Sequence, residues 1–274
     1  MNIESYRKIV YEYFNGKTAP IVLIIIGILT SAFVIGVPVL IVGLIWYVAD
    51  RNVGSCKTEE IVDNVVQEQM KIINKRAYEK LNVDEEQTDI IDPICLYGPV
   101  ISEEKLITKS NALFSLIFLI FAFANFMISL FVALFNRLTK NQDITKKSKL
   151  GSDGKWRYSY VQFTVFLFDR NQLYIYYANV DITSGIVYEE GTYEYYYNDI
   201  VCVSTNQIKS KQYLPKKLLK KSYMYIINEC LKIYTGGCNY TASISTDLDH
   251  SVIDKQFLAM KSLIRDKKLI KSTI

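Results

Sequence analysis

The chain has 274 residues, of which 50% are hydrophobic and 22% charged, with a net charge of +4, and its mean hydropathy of +0.11 is high for an ordinary water-soluble chain. Apolar and charged residues must therefore occupy different stretches. Five cysteines without a C-x-x-C pair give no support to a disulfide framework, a single histidine gives none to a His/Cys metal site, and the modest positive balance by itself points to no nucleic acid.

Residues 1–18, with Arg7, Lys8 and Lys17, read as a cytoplasmic N-terminus preceding a charge-free stretch, residues 19–49. That stretch is about 31 residues long, against the ~20 that span a hydrocarbon core as helix and the 7–15 of a signal-peptide apolar region. It is expected to be retained and to lie in the membrane. Two forms are open: one tilted or kinked span, or a helical hairpin punctuated at Gly36-Val37-Pro38, where a helix-ending glycine precedes a proline suited to opening a helix.

Residues 50–111 form a connector. Thr58 is a candidate cap, Glu59 and Glu60 suit the positive end of a helix dipole, and Val62, Val66, Met70, Ile73, Ala77 and Leu81 recur at spacings of four and three. The pattern predicts an amphipathic helix over 58–81. The acidic turn Asp84-Glu85-Glu86 follows, then a short extended piece bounded by Asp92-Pro93 and Gly98-Pro99.

A second charge-free stretch, residues 112–136, is predicted to be a transmembrane helix. The dense basic flank after it (Arg137, Lys140, Lys146, Lys147, Lys149, Lys155, Arg157) marks a cytoplasmic side. The expected localisation is thus the cell membrane, multi-pass, with the C-terminal domain in the cytoplasm, where reduced cysteines are at home. Asn125, and the small-x-x-x-small spacing of Gly27 and Ser31, are candidate helix–helix contacts and point to a homo-oligomer. No charge lies within either apolar stretch, which argues against an ion pathway.

From residue 150 to 274 the period becomes that of strands. Fifteen of the 21 tyrosines lie between Tyr158 and Tyr240, amid β-branched neighbours that favour sheet. Asp153-Gly154-Lys155-Trp156-Arg157 reads as a turn leading into the first strand. Strands are predicted over 158–168, 173–180, 186–197 and 199–203, a hairpin over 223–227 and 231–235, and a last short strand over 242–245. A helix over 250–268 closes the chain, capped by Asp249 or Ser251, with Ile253, Phe257, Met260 and Ile264 on one face. The fold class is therefore an α+β membrane protein: apolar transmembrane helices plus a mostly antiparallel sheet or partly open barrel with a C-terminal helix.

The strand order, the segment Tyr197-Asn198-Asp199-Ile200-Val201 after an acidic strand, and the terminal helix resemble the pleckstrin-homology-like domains attached to membrane helices in bacteria, over residues 156–268. The resemblance implies that basic strand-connecting loops hold acidic headgroups. Here Lys209, Lys211, Lys216, Lys217, Lys220 and Lys221 form such a run, and each lysine near an anionic leaflet gains around 1 kcal/mol.

No catalytic residue emerges. Glu189 and Glu190 point to opposite faces of a strand, His250 is the one histidine, and no phosphate loop, dinucleotide fingerprint or H-E-x-x-H is present. Tyr213 alone among the lysines gives poor support for nucleic-acid stacking. The sequence therefore points to a membrane-anchored, non-enzymatic binding or scaffold protein without cofactor or metal. Its expected partners are the lipid bilayer and an anionic lipid headgroup or a protein. The alternatives are a structural subunit of an oligomeric transport or defence complex, or an enzyme with an unrecognised site.

Overall fold

The computed structural model describes residues 3–15, 19–30, 36–52, 56–84, 91–101, 147–213 and 223–271. In chain order the elements are helices α1 (Ile3–Asn15), α2 (Ala19–Leu29), α3 (Gly36–Asn52) and α4 (Cys56–Leu81), then strands β1 (Ile94–Pro99), β2 (Ser148–Leu150), β3 (Trp156–Tyr158), β4 (Tyr160–Phe168), β5 (Gln172–Asp181) and β6 (Ile186–Tyr196). A 3-10 turn (Tyr197–Asp199), β7 (Ile200–Tyr213), β8 (Tyr223–Thr235), β9 (Asn239–Ile244) and helix α5 (His250–Lys271) complete the chain.

The apolar stretch 19–49 is not one long span. It is divided between α2, of 11 residues, and α3, of 17, which at ~1.5 Å per residue are about 16 and 25 Å long, short of the ~30 Å hydrocarbon core. Among the described residues no helix is long and apolar enough to cross a membrane. This corrects the expectation of transmembrane helices, and with it the multi-pass cell-membrane localisation. The cause is local: α3 starts at Gly36 with Pro38 in its first turn, where a missing N–H costs nothing, so a charge-free length that looks continuous in composition is two elements in space. Segment 112–136, including Asn125, and Ser31 lie outside the described residues.

What the fold does contain is α+β, with antiparallel pairing in every sheet. One sheet has the order β1-β4-β5-β6, a second β7-β8-β9, and β2 pairs with β3 in a small ribbon. Strand β4 is apolar at nearly every position because both of its faces are covered. Its alternate residues go to two cores: Val161, Phe163, Val165 and Leu167 meet Val10 and Phe14 of α1 and Val62, Ile73 and Ala77 of α4, while Phe166 and Phe168 meet Leu231 and Ile233 of β8 and Phe257 and Met260 of α5. Each such side chain, fully buried, contributes about 1.5–3 kcal/mol of apolar transfer. The layers are thus α1 and α4, the four-stranded sheet, and the three-stranded sheet with α5.

The two sheets meet where the Ser245 N–H donates to the Tyr97 carbonyl at 2.7 Å. Gly98 makes this approach feasible, since a Cβ there would lie 2.5 Å from Ser243 Oγ and 2.9 Å from its carbonyl carbon. The predicted hairpin over 223–235 is instead one strand of 13 residues, paired with β7 from Ile200 opposite Thr235 to Tyr213 opposite Tyr223. Residues 228–230 hold no glycine or proline to turn the chain, and Asn228 is fully buried, its amide bonded to Ser210 Oγ and accepting from Tyr158 Oη.

Candidate functional site

Helix α5 begins where Asp249 accepts hydrogen bonds from the Ser251 N–H (2.9 Å) and Oγ (2.7 Å). These bonds hold the Asp249 carboxyl below its usual range, a favourable charge at a helix N-terminus. Ile253, Phe257, Met260 and Ile264 then lie on the second core. Because that stripe returns every three or four residues, the adjacent positions Lys261, Arg265, Lys268 and Leu269 are carried onto one flank, facing the start of β7.

There they enclose, with Ile200, Val201, Cys202 and Val203, an open groove of about 360 Å³. Its lining combines aliphatic side chains with the cations Lys261, Arg265 and Lys268. Val201 is 70% exposed and Leu269 59%, while Ile200 is buried in the core. A register shift lies between Ile200 and Cys202, where the strand leaves the 3-10 turn. The Lys268 ammonium donates to the Ile200 carbonyl and so ties helix to strand at the head of the groove. Strand β7 ends its sheet, and among the described residues its ladder runs to β8 alone. Among the described residues the other side of β7 over 201–209 therefore has no ladder partner, beside an apolar groove.

Of the lysines that the sequence singles out, Lys209 and Lys211 lie on this same strand, at alternate positions beyond the groove. Lys209 is exposed, with its ammonium 4.8 Å from the centre of the Tyr225 ring. The side chain of Lys211 and all of Lys216, Lys217, Lys220 and Lys221 lie outside what the structure describes. Gly27 sits inside the α2–α3 hairpin, where a Cβ would be 2.6 Å from the Leu40 backbone.

Two clusters that have no legible signature in sequence belong to the framework. Arg157 is 6% exposed; its Nε and Nη2 donate to the Asp63 carboxylate at 2.7 Å, and Nη1 and Nη2 to Asp153 at 2.9 and 2.8 Å. Glu59, 3% exposed, lies 3.8 Å away and accepts from the Ser152 N–H and Oγ. The Asp153–Arg157 turn is thereby clamped to the first turns of α4, and burial beside it pushes the Tyr13 phenol up to about 12. On the other end of α4, Glu190 accepts from Arg76 at 2.8 Å, Lys80 at 3.0 Å and Tyr176 Oη at 2.6 Å. Burial raises its carboxyl, but these donors outweigh it and bring it to about 2.

No family model, curated protein or solved structure matches this chain.

The chemistry of the groove itself is consequently the guide. It presents aliphatic side chains, main-chain donors and acceptors along β7, and the cations Lys261, Arg265 and Lys268. It offers no carboxylate, imidazole or thiol–base pair with which to move a proton. His250 Nδ1 lies 3.3 Å from Glu229 Oε2, and both side chains are about half exposed. Among the described residues no group of three or more His, Cys, Asp or Glu could hold a metal ion.

Proposed function

We propose that the protein is a non-enzymatic binding module that takes an extended, acidic segment of a partner protein as an additional strand along β7, beside α5. The observation that carries this reading is the coincidence, among the described residues, of a strand side without a ladder partner with a groove lined by aliphatic side chains and cations at residues 200–203 and 261–269. Strand addition draws its affinity from main-chain hydrogen bonds, each worth about 0.5–1.5 kcal/mol net, and its selectivity from pockets for alternate side chains. Here the lining residues Val201, Val203 and Leu269 suit an apolar side chain, and Lys261, Arg265 and Lys209 suit flanking carboxylates. The pleckstrin-homology-like reading is kept within this proposal on the strength of Tyr197-Asn198-Asp199-Ile200-Val201, whose first three residues make the turn between the sheets and whose last two open β7.

The test is selection of short random-sequence peptides on the full-length protein. Enriched peptides should alternate apolar and acidic residues, slow amide exchange along 201–209 when bound, and lose about tenfold or more in affinity with Val201→Lys or Arg265→Glu. Selection that enriches nothing, or peptides whose binding leaves the β7 amides unprotected, would overturn the reading.

A further inference from the structure

Two strands end the sheets of this protein, and their charges are opposite. In the four-stranded sheet β6 is outermost, and among the described residues its ladder runs to β5 alone; β7 holds the corresponding place in the three-stranded sheet. Residues 186–196 of β6 include Glu189, Glu190 and Glu194 and no lysine or arginine, whereas residues 200–213 of β7 include Lys209 and Lys211 and no aspartate or glutamate. The groove beside β7 adds Lys261, Arg265 and Lys268.

Strand β6 lacks the devices that keep a sheet edge single. Such edges are blunted by lysine, by proline or by short length, and β6 has 11 residues with neither residue type. Past a register shift at Tyr188, Glu189 to Tyr196 pair one for one with Asn179 to Gln172 of β5. Glu190 has its cations in Arg76 and Lys80, and Glu189 accepts from the Asn179 amide at 2.8 Å. Glu194 is exposed and among the described residues has no ion pair. On the same strand Ile186 and Tyr196 are 49% and 59% exposed. Acids interspersed with large apolar side chains are what the groove beside α5 suits.

We infer that the acidic strand received by β7 is β6 of a second copy of the chain, with Glu189–Tyr196 of one copy laid along residues 201–209 of the next. The inference rests on the reading of the groove as a strand-addition site and names its partner. Strand β6 is already extended in the folded chain, so it binds without the ordering cost that a free peptide meets. Its charge is opposite to that of β7. The other pairings open to two copies, β6 on β6 or β7 on β7, set like charges against one another and are disfavoured. Because the two edges differ, the contact is heterologous: every copy contributes one edge and receives the other.

Light scattering on the full-length protein at micromolar concentrations should give masses at multiples of the 31.6 kDa chain that grow with concentration. Glu194→Lys with Tyr196→Lys alters the contributed edge, and Lys209→Glu with Arg265→Glu the receiving one; all four side chains are exposed. Each double variant, with the far-ultraviolet dichroism of the wild type, should self-associate about tenfold or more weakly. An equimolar mixture of the two should associate again, since one variant keeps an intact β7 and the other an intact β6, a recovery that pairing of like edges does not give. A wild type of single-chain mass, association that survives either double variant, or a mixture that stays monomeric overturns the inference. Peptides selected on the groove separate this failure from that of the underlying reading: a monomer that binds them on β7 overturns the self-association alone, and a monomer that binds none overturns both.

Discussion

Arg157→Met removes a buried cation from its three carboxylate partners while keeping most of its volume. The guanidinium serves Asp63, Asp153 and Glu59, whose side chains are 40%, 37% and 3% exposed. The first two regain water when the arginine goes; Glu59 keeps only the Ser152 N–H and Oγ. Stripping one partner from a buried ion pair costs ~3–5 kcal/mol, and with a single carboxylate left stranded the lower end applies, about 3 kcal/mol. For a chain of this size that is a fall of about 6–12 °C in thermal midpoint. Urea unfolding of wild type, Arg157→Met, Glu59→Gln and the double variant measures the loss and its origin, because Glu59→Gln should destabilise the wild type but recover stability in the Arg157→Met background. The acid limb gives a second check. Hydrogen bonding from Arg157 is the main cause of the low Asp153 carboxyl; a carboxyl depressed in the folded state stabilises above its unfolded value near ~3.9 and loses that contribution as pH falls. The wild type should therefore lose stability below about pH 4 by an increment that Arg157→Met lacks. A loss under about 1 kcal/mol, or additive behaviour in the cycle, would refute the assignment of Arg157 as the clamp between the β2–β3 ribbon and α4.

Three further outcomes follow from the same geometry. Glu190→Gln should cost about 1 kcal/mol at neutral pH, its ion pairs being partly solvated; since the folded carboxyl sits at about 2 and the unfolded one near ~4.3, wild type and variant should converge as pH falls from about 4 towards 2 in thermal melts. Gly98→Ala places a methyl against the Ser243 backbone, which cannot rotate away, and should lower the urea-derived stability by about 2 kcal/mol. Tyr240→Phe removes the partner of Thr164, whose hydroxyl lies 2.8 Å from Tyr240 Oη and is buried; the stranded hydroxyl should cost about 1–2 kcal/mol by the same assay.

Periodicity is a local property, and the elements it governs are legible in the sequence. The four-and-three recurrence of Val62, Val66, Met70, Ile73, Ala77 and Leu81 is the buried face of α4, and Ile253, Phe257, Met260 and Ile264 are that of α5. The β-rich stretch with its tyrosines, and the turn at Asp169–Asn171 that joins β4 to β5, are equally plain in the residues. Composition misleads where spanning length is inferred from it: 19–49 has no charge, but charge-free length is not helix length, and α3 starts at the Gly36-Val37-Pro38 punctuation that the residues themselves offer.

What only the tertiary structure decides is partnership between residues far apart in sequence. Residues 223–235 stay one strand because Asn228 finds Ser210 and Tyr158 in the folded interior. Glu59 looks like a dipole-facing acid of a helix N-terminus until Arg157, from the β2–β3 ribbon, arrives beside it and pairs with Asp63. The groove is the clearest case: Val201 and Cys202 on one side, Lys261, Arg265 and Leu269 on the other, some sixty residues apart and each unremarkable alone. A sequence reports which residues prefer a face or a strand, because those preferences are set by neighbours within a turn or two. It does not report which edge remains unpaired after the sheets close, since that depends on where every other strand has gone.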